Sequence, residues 1–145
     1  MNPGILLLIH AAAAWFMTGL IWLVQIVHYP LLARVGAAGY RDYQLAHKSL
    51  ITLIVGPAML IELVAAVLLL FQRRDPWTMA GVALLAVIWG STALLQIPLH
   101  NAVSSGFDPE VHARLVQTNW IRTIGWTARG LLALYQIRAT RRFRN

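Results

Sequence analysis

The chain has 145 residues, of which 59% are hydrophobic and 12% charged, with 12 Lys/Arg against 5 Asp/Glu for a net charge of +7. That balance excludes a soluble globular domain of average composition and a disordered chain, both of which carry more charge and less apolar surface. Residues 1–33 and 76–107 contain no Asp, Glu, Lys or Arg, and each stretch exceeds the ~20 apolar residues that cross a bilayer core, so a single membrane domain over residues 1–145 is predicted.

The first span is expected over residues 3–29, with Pro3 suited to a helix start and Pro30 to an end or a kink. The apolar run from Ile5 to Ile9 before Ala11 resembles a secretory signal. The opening Met1-Asn2-Pro3-Gly4 carries no Lys or Arg, however, and the apolar pattern continues to Val27, so an uncleaved span is the reading. A Gly36-to-Gly39 connection leads to residues 40–49, an amphipathic stretch expected as an interfacial helix. The second span, residues 50–71, contains Pro57 after Gly56, which predicts a kink with backbone carbonyls left free. Arg73-Arg74-Asp75-Pro76 is a tight turn, and Trp77 is placed for the interfacial aromatic belt. The third span covers residues 77–99. After a polar loop, Asp108-Pro109 reads as an N-cap with Pro at the first helical position, opening an interfacial segment over 109–114 and a fourth span over 115–137.

The expected fold is therefore all-α: a polytopic membrane four-helix bundle of two antiparallel hairpins. Lys and Arg collect on the cytoplasmic side of membrane proteins. The face holding the termini and the 72–76 turn has six basic residues (Arg73, Arg74, Arg138, Arg141, Arg142, Arg144) and one acid, Asp75. The opposite face has four (Arg34, Arg41, Lys48, Arg114) and three acids, Asp42, Asp108 and Glu110. Both termini are thus predicted cytoplasmic, in a multi-pass protein of a bacterial inner membrane. The basic excess is a topology signal, and nucleic acid is not an expected partner. With no cysteine, iron–sulfur clusters and covalent c-type haem are excluded, which leaves His, Met and carboxylates as the only metal ligands.

Ionisable groups inside a span cost roughly 2.5–3.5 kcal/mol each on insertion scales and normally face other helices or a cavity. On the first span His10, Ala14, Met17, Thr18, Ile21, Gln25 and His28 form one stripe at helical spacing. Trp89, Thr92, Gln96 and His100 form another on the third. On the fourth His112, Asn119, Thr123, Trp126 and Gly130 do so, with Arg122 and Arg129 on the flank. At about 1.5 Å per residue, two layers emerge. The outer layer gathers His28, His47, His100 and His112 above Gln25, Gln96 and Asn119. The inner one gathers His10, Glu62 and Arg129, where Glu62 and Arg129 make the obvious structural ion pair. The four histidines are candidate metal ligands or merely solvated helix ends; Gln25 and Gln96 are site residues or packing glue between helices. A weak internal repeat sets Gln25-x-x-His28-x-Pro30 beside Gln96-x-Pro98-x-His100.

Ile97-Pro98-Leu99-His100-Asn101, followed by Asn119-Trp120-Ile121-Arg122-Thr123, together with His28-Tyr29-Pro30, resembles the small four-span family that includes the fungal anthrone oxygenases and many uncharacterised bacterial members. His100 stands where that family tends to show Asn, with Asn101 one position later. The resemblance implies oxygenation of a lipophilic aromatic substrate, with Asn119 and Arg122 as site residues. A looser similarity, to small four-helix membrane protoporphyrinogen oxidases with an early histidine such as His10, implies non-covalent haem b held by His10, His28 or His100, although that group's characteristic lysine has no counterpart here. The leading expectation is an oxidoreductase-like protein acting on a lipophilic aromatic or quinone-like molecule in an intramembrane cavity, with Asn119 and Arg122 on an oxygen and His28 or His100 as base or ligand. Two other classes stay open. One is a non-catalytic accessory subunit of a larger membrane complex or homo-oligomer; the other is a small transporter or metal-handling protein using the outer histidines.

Overall fold

The computed structural model describes residues 2–142. Four long helices run through them: α1 Pro3–Leu32, α2 Ala37–Gln72, α3 Pro76–Val103 and α4 Pro109–Arg142. The first three are long and apolar enough to cross a membrane. The fourth carries Arg114, Arg122, Arg129 and Arg138 along its length.

The turns are set by local chemistry. Asn2 caps α1 by accepting from the Gly4 amide at 2.8 Å, and Pro3 follows at the first helical position, where no amide is needed. Gly36, at φ 83°, occupies the left-handed region that admits glycine readily and lets the chain reverse into α2. Asp75 Oδ1 accepts from the amides of Trp77 and Thr78, both at 3.0 Å, to start α3. Asp108 does the same for Glu110 and Val111 at 2.8 and 3.0 Å, as the Asp-Pro signal anticipates.

The helices run further than the expected spans. The first continues past Pro30 to Leu32 because a π turn at Val24–His28 widens the backbone ahead of the proline ring. Residues 40–49 are the helical lead-in to the second span: the two form one helix of 36 residues, with Pro57 inside it and no break. The third helix likewise runs past residue 99 to Val103, through a second π turn at Thr92–Gln96 just before Pro98.

α1 packs chiefly on α2 and α4, α3 packs chiefly on α4, and the α2–α3 seam is the thinnest. The main core joins Met17, Ile21, Tyr29, Met59, Ile88 and Trp126, with a smaller cluster of Leu6, Leu7, Ala65 and Leu69 at the end near the termini. The outer surface is apolar: Leu53, Phe71, Leu94 and Ile124 are 72%, 72%, 76% and 64% exposed. Glu62, Gln44, Asn119, Thr123 and Arg129 are, by contrast, buried. Polar groups inside and a continuous apolar exterior are what a bilayer selects, consistent with an integral membrane protein.

Candidate functional site

Between α1, α2, α3 and one side chain of α4 lies a cavity of about 270 Å³, lined along α2 and α3, the pair of neighbouring helices with the thinnest contact. Its walls are apolar: Met17, Leu20, Ile21 and Val24 from α1, Ile51, Val55 and Met59 from α2, Ile97 from α3. Its polar groups are Tyr29, His47, Lys48, Thr52, Thr92, Gln96, His100, Asn101 and Arg122. Small-molecule sites usually have this composition, a mostly apolar concavity with a few polar anchors.

The polar wall is wired in a defined direction. Gln44 Nε2 lies 2.8 Å from His100 Nδ1, and an amide nitrogen only donates, so Nδ1 accepts and the ring proton sits on Nε2. That nitrogen is 3.2 Å from the Tyr29 hydroxyl, which accepts from it and donates to Gln96 Oε1, also at 3.2 Å. Gln96 is held from the other side, its Nε2 donating to Thr118 Oγ1 at 2.8 Å. Arg122 Nη1 reaches Gln96 Oε1 at 3.5 Å, while its Nε is buried with no partner. The guanidinium lies over the Trp126 ring, 5.2 Å from its centroid, within cation–π range. At the mouth, Lys48 Nζ donates to Asn101 Oδ1 at 2.7 Å, joining α2 to α3.

His47 faces the cavity beside this wall, and its nitrogens make no hydrogen bond to the described residues. Its ring stacks on His28 at 4.0 Å, with His100 at 5.9 Å. His28 stands behind it, between His47 and Tyr43, and does not line the cavity; its Nε2 is buried and unpartnered. His112 lies on the far side of Tyr29, edge-on at 6.5 Å. Burial pushes its imidazole below the ordinary value, opposed by a backbone contact with Tyr29.

The expected four-histidine metal set is therefore not assembled. His28 and His47 stack face to face instead of converging, both His100 nitrogens are engaged, and His112 is remote. Among the described residues no group of three or more His or acidic side chains is arranged to hold a metal ion. The expected haem ligands are not brought together either. His10 borders a void of about 10 Å³ with Arg129, Thr78 and Gln136, room for one water, His28 does not line the larger cavity, and both nitrogens of His100 are engaged. Asn119 is also displaced from the expected role: it is fully buried on the α1–α4 seam and donates to Gln25 Oε1 at 2.8 Å, which Thr123 also approaches at 3.4 Å. Gln25 in turn donates to the Val116 carbonyl at 3.3 Å. Gln25 thus serves as packing glue, whereas Gln96 belongs to the cavity.

At the inner level the expected ion pair is present: Arg129 Nε donates to Glu62 Oε1 at 2.7 Å, both side chains fully buried. Trp126 Nε1 donates to Glu62 Oε2 at 2.9 Å, and Arg129 Nη1 donates to the Gly81 carbonyl. The sequence reading assigned no site role to Tyr29, Gln44, Lys48 or Asn101. Tyr29 lay at a span end and Gln44 in a segment taken for a surface helix, and only the interhelical geometry joins them to His100.

The chain matches no family model, no curated protein and no solved structure.

Proposed function

We propose that the protein is a four-span integral membrane protein, both termini cytoplasmic, that takes a lipophilic aromatic or quinone-like molecule from the bilayer through the α2–α3 seam and acts on it as an oxidoreductase. The reading rests on one observation: a mostly apolar cavity beneath an exposed apolar surface brings Tyr29, His47, Gln96, His100 and Arg122 together on its polar wall. Packing alone would have no use for that wall. The thioethers of Met17 and Met59 and the ring of His47 are suited to a flat aromatic face.

In this reading His47 is the base, because the lone pair of His100 is taken by Gln44. His47 removes a proton from a phenol or from a carbon beside a carbonyl, and Arg122, whose Nε has no partner, hydrogen-bonds the oxygen on which charge develops. The family resemblance supplies the oxidant. Dioxygen, which partitions into apolar spaces, converts an activated CH2 to C=O with release of one water. The test is titration of the detergent-purified chain with 1,4-naphthoquinone, followed by quenching of tryptophan fluorescence. Saturable quenching that is abolished by Met59→Trp, which fills the cavity, is expected; unsaturable quenching unaffected by Met59→Trp would overturn the reading.

A further inference from the structure

α4 places two arginines at membrane depth, two turns apart, and they are treated differently. Arg129 is neutralised by Glu62, in the only ion pair among the described residues. Arg122, 8% exposed, has no carboxylate partner among the described residues. One hydrogen bond of 3.5 Å to a neutral amide is all it makes to them, its Nε is buried without a partner, and it borders the cavity. No Asp or Glu lines that cavity; its other cation, Lys48, is already engaged by Asn101. A guanidinium taken out of water with no counter-charge is strongly unfavourable, and stacking on Trp126 offsets only a fraction of that. The missing negative charge has one place to come from, the space in front of Arg122.

We propose that the ligand binds as a monoanion: an acidic phenol or hydroxyquinone whose ionised oxygen supplies the counter-charge of Arg122, with its ring system against Met17, Val55 and Met59. This deepens the reading of the cavity as an aromatic site and depends on it. The site then discriminates by charge as well as by shape. A neutral molecule of the same outline fills the apolar walls but leaves Arg122 uncompensated. The same argument makes the unliganded cavity a place of stored instability, which the anion relieves.

The experiment uses the full chain in a neutral detergent at pH 7 and two probes of one skeleton, 2-hydroxy-1,4-naphthoquinone, which is ionised, and 2-methoxy-1,4-naphthoquinone, which is not. The hydroxy form is expected to bind at least tenfold more tightly, and Arg122→Gln to abolish that preference by bringing the affinity for the hydroxy form down to that for the methoxy form. Thermal unfolding gives a second readout. Unliganded Arg122→Gln should melt no lower than the parent chain, because the substitution removes an unneutralised charge, and the hydroxy probe should raise the parent's melting temperature more than the variant's. Equal binding of both probes, or a preference that survives Arg122→Gln, overturns the monoanion and leaves the aromatic site standing. Failure of both probes to bind overturns the aromatic site and the monoanion with it.

Discussion

Glu62 is the only acid between residues 43 and 74, and both its oxygens are used, one by Arg129 and one by the Trp126 indole. Removing its charge leaves Arg129 buried and unpaired, which costs about 3–5 kcal/mol in comparable pairs. Glu62→Gln should therefore lower the unfolding temperature sharply in a detergent melt, and Glu62→Met combined with Arg129→Met should recover most of the loss. If Glu62→Gln melts like the parent chain, the pair is not what holds the inner end. Gln44 makes a subtler case. Gln44→Leu removes the donor that fixes the His100 proton, leaving a buried ring nitrogen unsatisfied at about 1–3 kcal/mol, and frees the His100 lone pair to compete with His47. A second base would show as a changed pH profile of turnover in Gln44→Leu; an unchanged profile would mean the amide does not govern His100. The lone acid and the two arginines were legible from charge counting, because charge at that depth is rare. Gln44 was not, and Trp126 was legible only as a member of the inward stripe and not as a partner of Glu62, since an amide in an amphipathic stretch and an indole in a span reveal no bond until their partners on other helices are known.

At the scale of elements, the two π turns explain where helical arithmetic succeeds and where it slips. The stripe predicted on the first span is buried at His10, Ala14, Met17, Thr18, Ile21 and Gln25, yet its last member, His28, is half exposed and Tyr29 takes the inward position. A π turn inserts one residue into the ladder, and Val24–His28 shifts the inward face by that one residue. The sequence echo of Gln25 to Pro30 with Gln96 to Pro98 has its structural counterpart here, each π turn ending two residues before its proline. Deleting Ile26 should restore a regular helix and leave Tyr29 inward, in the place that helical spacing gives to the residue three after Gln25. Naphthoquinone binding should be retained while the circular dichroism stays helical; lost binding would show that the widened turn itself shapes the site. Helix contact is set by other positions. A Cβ at Gly125 would lie 2.8 Å from Ile88 Cγ1, whereas one at Gly90 meets nothing within 4 Å. Gly125→Ala is expected to destabilise by about 1–3 kcal/mol, relieved by Ile88→Ala. Gly90→Ala, in contrast, should be stabilising by about 0.5–1 kcal/mol, both measured by thermal melts.

For the whole molecule, the excess of basic residues at the end holding Arg73, Arg74 and Arg138 sets the proposed orientation. A phosphatase reporter that is active only outside the cytoplasm should be silent when fused to the C-terminus and active when inserted in the 104–108 loop; the reverse pattern would invert the topology. The all-helical fold and three helices long and apolar enough to cross a membrane were legible because hydropathy and length are properties of single segments. A cavity between the helices was expected too; its place among α1, α2 and α3 was not legible, because it depends on a thin α2–α3 contact that no segment encodes alone. The diagonal pairing of Glu62 on α2 with Arg129 on α4 has a consequence for biogenesis. α4 is the long helix that does not pass as an apolar span by itself, and its partner acid is synthesised nearly seventy residues earlier. In the four-span arrangement, α4 is a client of the helices before it: it would enter the bilayer once Glu62 is in place to receive it, so insertion and folding of the last helix become a single event.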